Sequence, residues 1–469
     1  MSSKNMGLAL ANKILLALVF LAALAIRYFA FEGYLISGTD PARHLMFIQN
    51  NVLTGSVAQF SYPPFYPTLL ASLIVMLQPS LSQTLILMRT FGYLIDALIV
   101  FPLFVFVSQV KSFIGIVASF LATTTAIVLG IYQWGGYPTF LCFYLIATYL
   151  ALLGRNKINS LKGFLVGIFL LAVAISLHPT LIIIVLGVLT MCVVVEYLRR
   201  QKVVFKGGQL SAGFLLFVLF LFAYHYVLHY PLPSLAAVVI QTEHPKPATW
   251  IFQTLYNIYF STENLAITAL TLIGLYFLIS QKFPNIFSMK LIVLAWLLAP
   301  HIGVFPILTD WLKPRLLLYL AQPLAILSSF GVYGIIRTIR DLVLLASSKR
   351  NQILKVTINA TQFIVLGTII VILVIQGAWT TLILARNIQM GAQSLGITRA
   401  QFHAITFLNA NGNSAIVNIA NSDWISALAK SYPLQEHYYL VSTVNQNVDK
   451  IYDNGKWGIY IRAQSRSKV

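Results

Sequence analysis

The sequence predicts an all-α polytopic membrane protein of about 11 transmembrane helices, followed by a small extracytoplasmic α/β domain. Three observations carry that prediction. First, 58% of the 469 residues are hydrophobic and only 9% are charged, against roughly 45–50% apolar residues in soluble domains. Second, apolar runs of the length that crosses a bilayer, about 20 residues, recur almost end to end. "ILLALVFLAALAIRYFAF" (14–31) and "GFLLFVLFLFAYHYVL" (213–228) are representative. Third, apolar density falls from about 397 onward, where the acids Asp423, Glu436, Asp449 and Asp453 appear among short alternating segments.

Taken in order, the predicted spans are 13–31, 85–110, 112–131, 138–154, 163–178, 180–198, 209–228, 264–281, 288–304, 316–336 and 359–383. The first run is read as a retained span, because no small-residue cleavage site follows it. "YPPFYPTLLASLIVMLQ" (62–78) is apolar but short and opens on paired prolines. It is read as a helix at the outer interface, within a first outer loop of 32–84. Residues 1–390 thus form the membrane domain and 391–469 the small domain. In the latter, Thr398 and Gln401 have capping-box spacing at the start of a helix. "SAIVNIA", "HYYLVST" and "KWGIYIRA" read as strands and "DWISALAKS" as a helix. The two cysteines, Cys142 and Cys192, sit inside apolar runs and make no disulfide framework.

A net charge of +19 would suggest nucleic acid in a soluble chain. Here its placement excludes that reading. With the N-terminus inside, basic clusters such as Arg199, Arg200, Lys202 and Lys206, or Arg337, Arg340, Lys349, Arg350 and Lys355, fall in cytoplasmic segments. That is the positive-inside asymmetry of a multi-pass cell-membrane protein. Counting 62–78 as a span would reverse every later loop and break it. An odd span count places the C-terminal domain outside.

The remaining ionisable residues gather on the opposite side. His44, His178, His225, His229, His244 and His301 all fall on or near the outer face, with Glu32, Asp40, Glu243, Glu263 and Asp310. Such groups are costly near hydrocarbon, and their collection at one face marks a site. In "SGTDPARH" (37–44), Asp40 before Pro41 makes an N-cap and first-turn pair. Ala42, Leu45, Met46 and Gln49 then share one helix face, with Gly55 ending the helix. Asp40 as a cap alone and Asp40 as a catalytic group both stay open, and they are compatible.

The span, the outer loop with "GTDPARH", the amphipathic helix and the following "YPPFYPTLL" together resemble the GT-C superfamily of polytopic glycosyltransferases. So does "KPRLLLYLAQPLAIL" (313–327). The resemblance implies an enzyme of the cell envelope that takes a sugar from a polyprenyl-phosphate carrier at the outer membrane face. It implies Asp40 as catalytic base or metal ligand, Tyr62, Pro63 and Pro64 as the outer proline-rich segment, and Arg315 as the contact to the lipid-linked phosphate.

The residues make that chemistry coherent without the resemblance. Glycosyl transfer from a phosphate donor needs a base, positive charge for the leaving phosphate and a dry pocket. Asp40 fits the base; Arg315, Lys313 and Arg43 fit the phosphate. Acceptor or pocket candidates are His44, Tyr62, Glu243, His244, Asp310, Trp134 and Tyr137. Each has a plainer account: Asp310 as a salt-bridge partner of Arg315 or Lys313, Glu243 and His244 as a solvated loop, Trp134 and Tyr137 as an aromatic belt. A divalent metal, Mg or Mn, would fall to Asp40, which has no acidic neighbour within two positions. His225 and His229 have i,i+4 spacing but no accompanying acid, which suits an interfacial belt better than a metal. Asp96, inside "YLIDALIV", should face protein rather than lipid. Expected partners are membrane lipid, the lipid-linked donor and a glycan, lipid or protein acceptor, with no nucleic acid. Two other classes remain in view: a secondary transporter or lipid translocase, to which Asp96 would be central, and a non-catalytic membrane subunit.

Overall fold

A bilayer offers no partner for backbone N–H and C=O groups, so each apolar run must satisfy them within its own segment, as a helix. A computed structural model describes residues 3–32, 34–38, 40–49, 65–155, 160–198, 253, 255–256, 259–260, 264–281, 287–304, 312–347, 396–399, 402–403, 406, 438–441, 448–453 and 458–462. In chain order it shows α1 (Ser3–Ala30), β1 (Tyr34–Ser37), α2 (Asp40–Phe47), α3 (Phe65–Leu77), α4 (Leu81–Leu98) and α5 (Val100–Val107). There follow α6 (Ser112–Thr124), α7 (Ala126–Trp134), α8 (Tyr137–Gly154), α9 (Leu161–Leu177) and α10 (Leu181–Leu198). The later helices are α11 (Leu265–Ser280), α12 (Phe287–Leu298), α13 (Leu312–Leu317) and α14 (Ala321–Ser347), with 3-10 turns at Ala299–Val304 and Leu318–Leu320. The strands β2 (Gly396–Thr398), β3 (Tyr438–Val441), β4 (Val448–Asp453) and β5 (Gly458–Arg462) come last.

Four of these stretches are long and apolar enough to cross a membrane: Leu10–Ala30, Leu81–Val107, Ser112–Tyr132 and Arg315–Leu342. Shorter apolar helices accompany them. Of the predicted spans, 209–228 and 359–383 lie outside the described residues; the others coincide with helices. The span predicted at 85–110 is α4 and α5, broken near Ile99, and that at 112–131 is α6 and α7, broken at Thr125. The segment predicted at 62–78 contains α3, whose 13 residues extend only about 20 Å at 1.5 Å per residue. That is short of a hydrocarbon core of about 30 Å.

Chain contacts divide the molecule into two compact units. The first comprises Met1–Ile26, Leu94–Leu129 and Thr139–Leu382. Its closest helix pair is α11 against α14. A Cβ on Gly274 would strike the carbonyl of Leu327, and one on Gly331 would strike that of Leu270. Small residues let the backbones meet, and hydroxyls bind across the seam: Thr271 Oγ1 to Ser328 Oγ at 3.0 Å and Ser328 Oγ to the Ile267 carbonyl at 2.9 Å. This is membrane-type packing, in which close approach and interhelical hydrogen bonds replace the hydrophobic drive of water. Asp96 on α4 is fully buried, as its position required.

The second unit comprises Arg27–Tyr93, Gly130–Pro138 and Ile383–Val469. It joins the first loop, the α7–α8 turn and the C-terminal strands. β1 pairs antiparallel with β2 in the register Ile36↔Ile397 and Ser37↔Gly396. The other strands form an antiparallel sheet in the order β3-β5-β4. β3 and β5 fall on the predicted strands. β4, "VDKIYD", was not expected, because Asp449 and Lys450 interrupt its apolar pattern. Thr398 ends β2, with Arg399, Phe402, His403 and Thr406 helical after it. "SAIVNIA" and "DWISALAKS" lie outside the described residues.

Candidate functional site: two polar clusters, one in each unit

The first cluster is built on β1 and α2. Gly38 takes φ +85°, which turns the chain out of β1, and Asp40 opens α2 with Pro41 behind it. Asp40 is 6% exposed, and its carboxylate sits in the first helical turn, where the backbone dipole favours negative charge. Arg43, one turn on and half-exposed, brings Nη1 to 3.8 Å from Asp40 Oδ1. Ala42, His44, Leu45, Phe47 and Ile48 turn inward. Met46 and Gln49 are only half-buried, so the inner face is rotated from the predicted one.

A second stretch, "WGGYP", closes on this loop. Gly135 has φ +78°, and a Cβ there would collide with the Pro41 ring. Next to it, the Tyr137 hydroxyl meets Ser37 Oγ at 3.1 Å and the Ser37 carbonyl at 3.4 Å. Tyr137 is entirely buried and packs over Gly92. Its ring is therefore a wall of the loop. Behind it, Tyr132 meets Tyr93 and Tyr137 edge-on at 5.3 and 5.9 Å.

His44 is fully buried against the Tyr66 ring, 5.1 Å between centroids. Burial first, and the Arg43 charge second, lower its pKa to about 3, so it is neutral at ordinary pH. Arg27 is also fully buried, and Arg89 Nη1 donates to the Tyr34 carbonyl at 2.6 Å. Arg89 Nε and the hydroxyls of Tyr66 and Tyr93 have no hydrogen-bond partner among the described residues.

The second cluster surrounds Arg315, half-buried in the last turn of α13. Tyr319 follows it, fully buried, with its hydroxyl 2.7 Å from His178 Nδ1 and 3.5 Å from Cys142 Sγ. His178 caps the C-terminus of α9, and Thr180 Oγ1 lies 2.6 Å from the same Nδ1. The Arg315 charge reaches both the His178 and Tyr319 rings. Gln322 fixes the start of α14 by donating to the Phe143 carbonyl at 3.0 Å.

Asp40, Arg43, His44 and Tyr137 thus share one unit, and Arg315 belongs to the other. Tyr62, Pro63, Pro64, Gly55, Glu243, His244, His225, His229 and Asp310 lie outside the described residues, as do the side chains of Trp134 and Lys313. Among the described residues no three His, Cys, Asp or Glu side chains converge on a metal position. Sequence reasoning passed over Ser37, Arg89, Thr180 and Tyr319 and counted His178 only among the outer-face histidines. Except for Thr180, their partners are remote in the chain, Tyr319 being 141 residues from His178.

The helical fold of this chain is similar to that of a solved membrane enzyme of the GT-C kind. The likeness is to ArnT from Cupriavidus metallidurans, solved bound to undecaprenyl phosphate, with a TM-score of 0.56 and 11% identity over 96% of this chain and 98% of that one. The oligosaccharyltransferase of Archaeoglobus fulgidus, in the apo form, matches with a TM-score of 0.49 and 13% identity over 90% of this chain and 60% of that one. No family model matches the sequence. No curated protein matches it either.

Proposed function

We propose that this chain is a glycosyltransferase that moves a sugar from a polyprenyl-phosphate donor to an acceptor at the outer face of the cytoplasmic membrane. The observation that carries the reading is Asp40: a nearly buried carboxylate at the head of α2, in the first loop of a GT-C fold. Asp40 takes the proton of the acceptor hydroxyl as that oxygen attacks the anomeric carbon. The bond from that carbon to the phosphate oxygen breaks, and polyprenyl phosphate leaves with the electron pair. Neutralising the leaving charge calls for a cation, an arginine fork doing so best, and Arg315 and Lys313 are the candidates the sequence offers for it. Arg43 holds the carboxylate in place. Asp40 is also the residue that would ligate a divalent metal, Mg or Mn, and transfer with and without EDTA tests that role. A glycan, a lipid or a protein can supply the acceptor hydroxyl. In this reading the N-terminus lies in the cytoplasm and the C-terminal strands outside, as the charge asymmetry of the sequence favours.

The test is Asp40→Asn, assayed in membranes with lipid-linked sugar donors. Loss of the base should slow transfer by about 100-fold or more, the usual range for general-base removal. Full retained activity removes Asp40 from the chemistry and the proposal with it.

A further inference from the structure

His178 sits 9% exposed in the turn between α9 and α10, held by two hydroxyls on one ring nitrogen. Tyr319 Oη and Thr180 Oγ1 both lie within 2.7 Å of Nδ1. A hydroxyl can donate to this nitrogen or accept from it; with Tyr319, the more acidic of the two, as the donor, Nδ1 accepts. The ring proton is then left on Nε2, because in a neutral imidazole one nitrogen donates when the other accepts. Nε2 has no hydrogen-bond partner among the described residues. Arg315 lies close enough for its charge to act on the same ring. The result is a rigid, neutral donor beside a guanidinium.

We propose that His178 is a second donor for the anion bound by Arg315, its Nε2–H bonding the phosphate of a polyprenyl carrier. The proposal rests on the transferase reading above and adds a residue to its phosphate site. Tyr319 and Thr180 are positioning residues: they fix the tautomer and the ring plane and do not touch the phosphate. A neutral donor adds direction to the charge of Arg315 without adding a second cation.

The experiment uses the full chain in nanodiscs, with farnesyl phosphate as probe and farnesol as its uncharged control, each variant also being melted to verify folding. His178→Asn keeps an amide near the position of Nδ1, facing Tyr319, but has nothing at Nε2. His178→Gln reaches the Nε2 position with an N–H. His178→Asn should weaken farnesyl phosphate about 10-fold, the scale of one hydrogen bond to a charged group, and leave farnesol unchanged. His178→Gln should restore binding to near wild type, and Arg315→Gln should abolish the preference for the phosphate. Tyr319→Phe, which frees the tautomer, should weaken the phosphate alone and serves if His178→Asn does not fold.

Wild-type binding by His178→Asn, or equal loss in the Asn and Gln variants, overturns the assignment of His178 while Arg315 and the transferase reading stand. A wild-type protein that binds farnesyl phosphate no better than farnesol overturns the carrier-phosphate site as a whole. The same series with inorganic phosphate and with phosphatidic acid vesicles separates the sources of phosphate. Preference for either over farnesyl phosphate, lost in His178→Asn, overturns the polyprenyl carrier as the ligand.

Discussion

Asp40 and Arg43 lie one helical turn apart, and their 3.8 Å contact joins a nearly buried carboxylate to a half-exposed guanidinium. An ion pair open to solvent on one side contributes little to stability, about 0–1 kcal/mol, so its effect must be sought in position. Arg43→Gln should leave the melting temperature almost unchanged yet slow transfer by about 10-fold, because misplacing a reacting group by an ångström is costly. A parallel loss of both would make Arg43 a structural residue only. Next to it, His44 has a distinct pH signature. Its folded pKa of about 3 lies below the ordinary 6.5, so between those values the unfolded chain binds the extra proton. The stability linked to His44 is complete above pH 6.5 and is lost as pH falls toward 3, by at most about 1.4 kcal/mol per pH unit. Melting at pH 5 and at pH 7.5 should differ more for the wild type than for His44→Gln, which takes no proton. Equal pH dependence would mean that His44 is solvated in the folded protein.

The α7–α8 turn shows how one element positions another. Gly135 stands at φ +78° with no room for a Cβ beside Pro41, whereas Gly130, on α7, meets nothing within 4 Å. The two glycines make a matched pair. Gly130→Ala should leave stability unchanged or raise it by up to about 1 kcal/mol, the helix-propensity gain. Gly135→Ala should cost roughly 1–2 kcal/mol in backbone strain alone and also push on the residue that follows Asp40. Melting and transfer, measured on both variants, check this; unimpaired transfer in a folded Gly135→Ala protein would separate the turn from the site. The sequence made "WGGYP" visible as a sharp turn and "GTDPA" as a helix start, since glycine and proline act locally. Their meeting was not visible, because it depends on packing between segments nearly 100 residues apart, as in the Ser37–Tyr137 bond. The breaks at Ile99 and Thr125 were hidden for a related reason. Pro102, which has no N–H for the Leu98 carbonyl, stands just past the first, whereas neither glycine nor proline marks the second, and hydropathy reads an apolar run as continuous whether or not its helix is interrupted.

Across the whole molecule, β1 and β2 constrain the topology more tightly than hydropathy does. Two hydrogen-bonded strands lie on one side of a membrane, so the chain between Ser37 and Gly396 must cross it an even number of times. Ten spans are predicted in that interval from the sequence, and treating 62–78 as an eleventh would violate the pairing. The charge asymmetry and the short α3 independently favour the same count. Sheet pairing between the two ends of a chain leaves no periodicity to read, so only the apolar runs and the first-loop acid were accessible beforehand. The pairing itself is open to a direct measurement. Ile36 and Ile397 are register partners, and opposed residues on antiparallel strands have Cα atoms about 4.5–5.5 Å apart, within the span of a disulfide. The double variant Ile36→Cys with Ile397→Cys should therefore cross-link under mild oxidation, seen as a linked peptide by mass spectrometry, while the native Cys142 and Cys192 stay buried and unreactive. In the reduced single variants, a membrane-impermeant maleimide should reach both positions in intact cells once the strands are loosened by mild detergent below lysis. Labelling of either one only after the cytoplasm is opened would put the first loop inside, and Asp40 would then face the wrong compartment for an external donor.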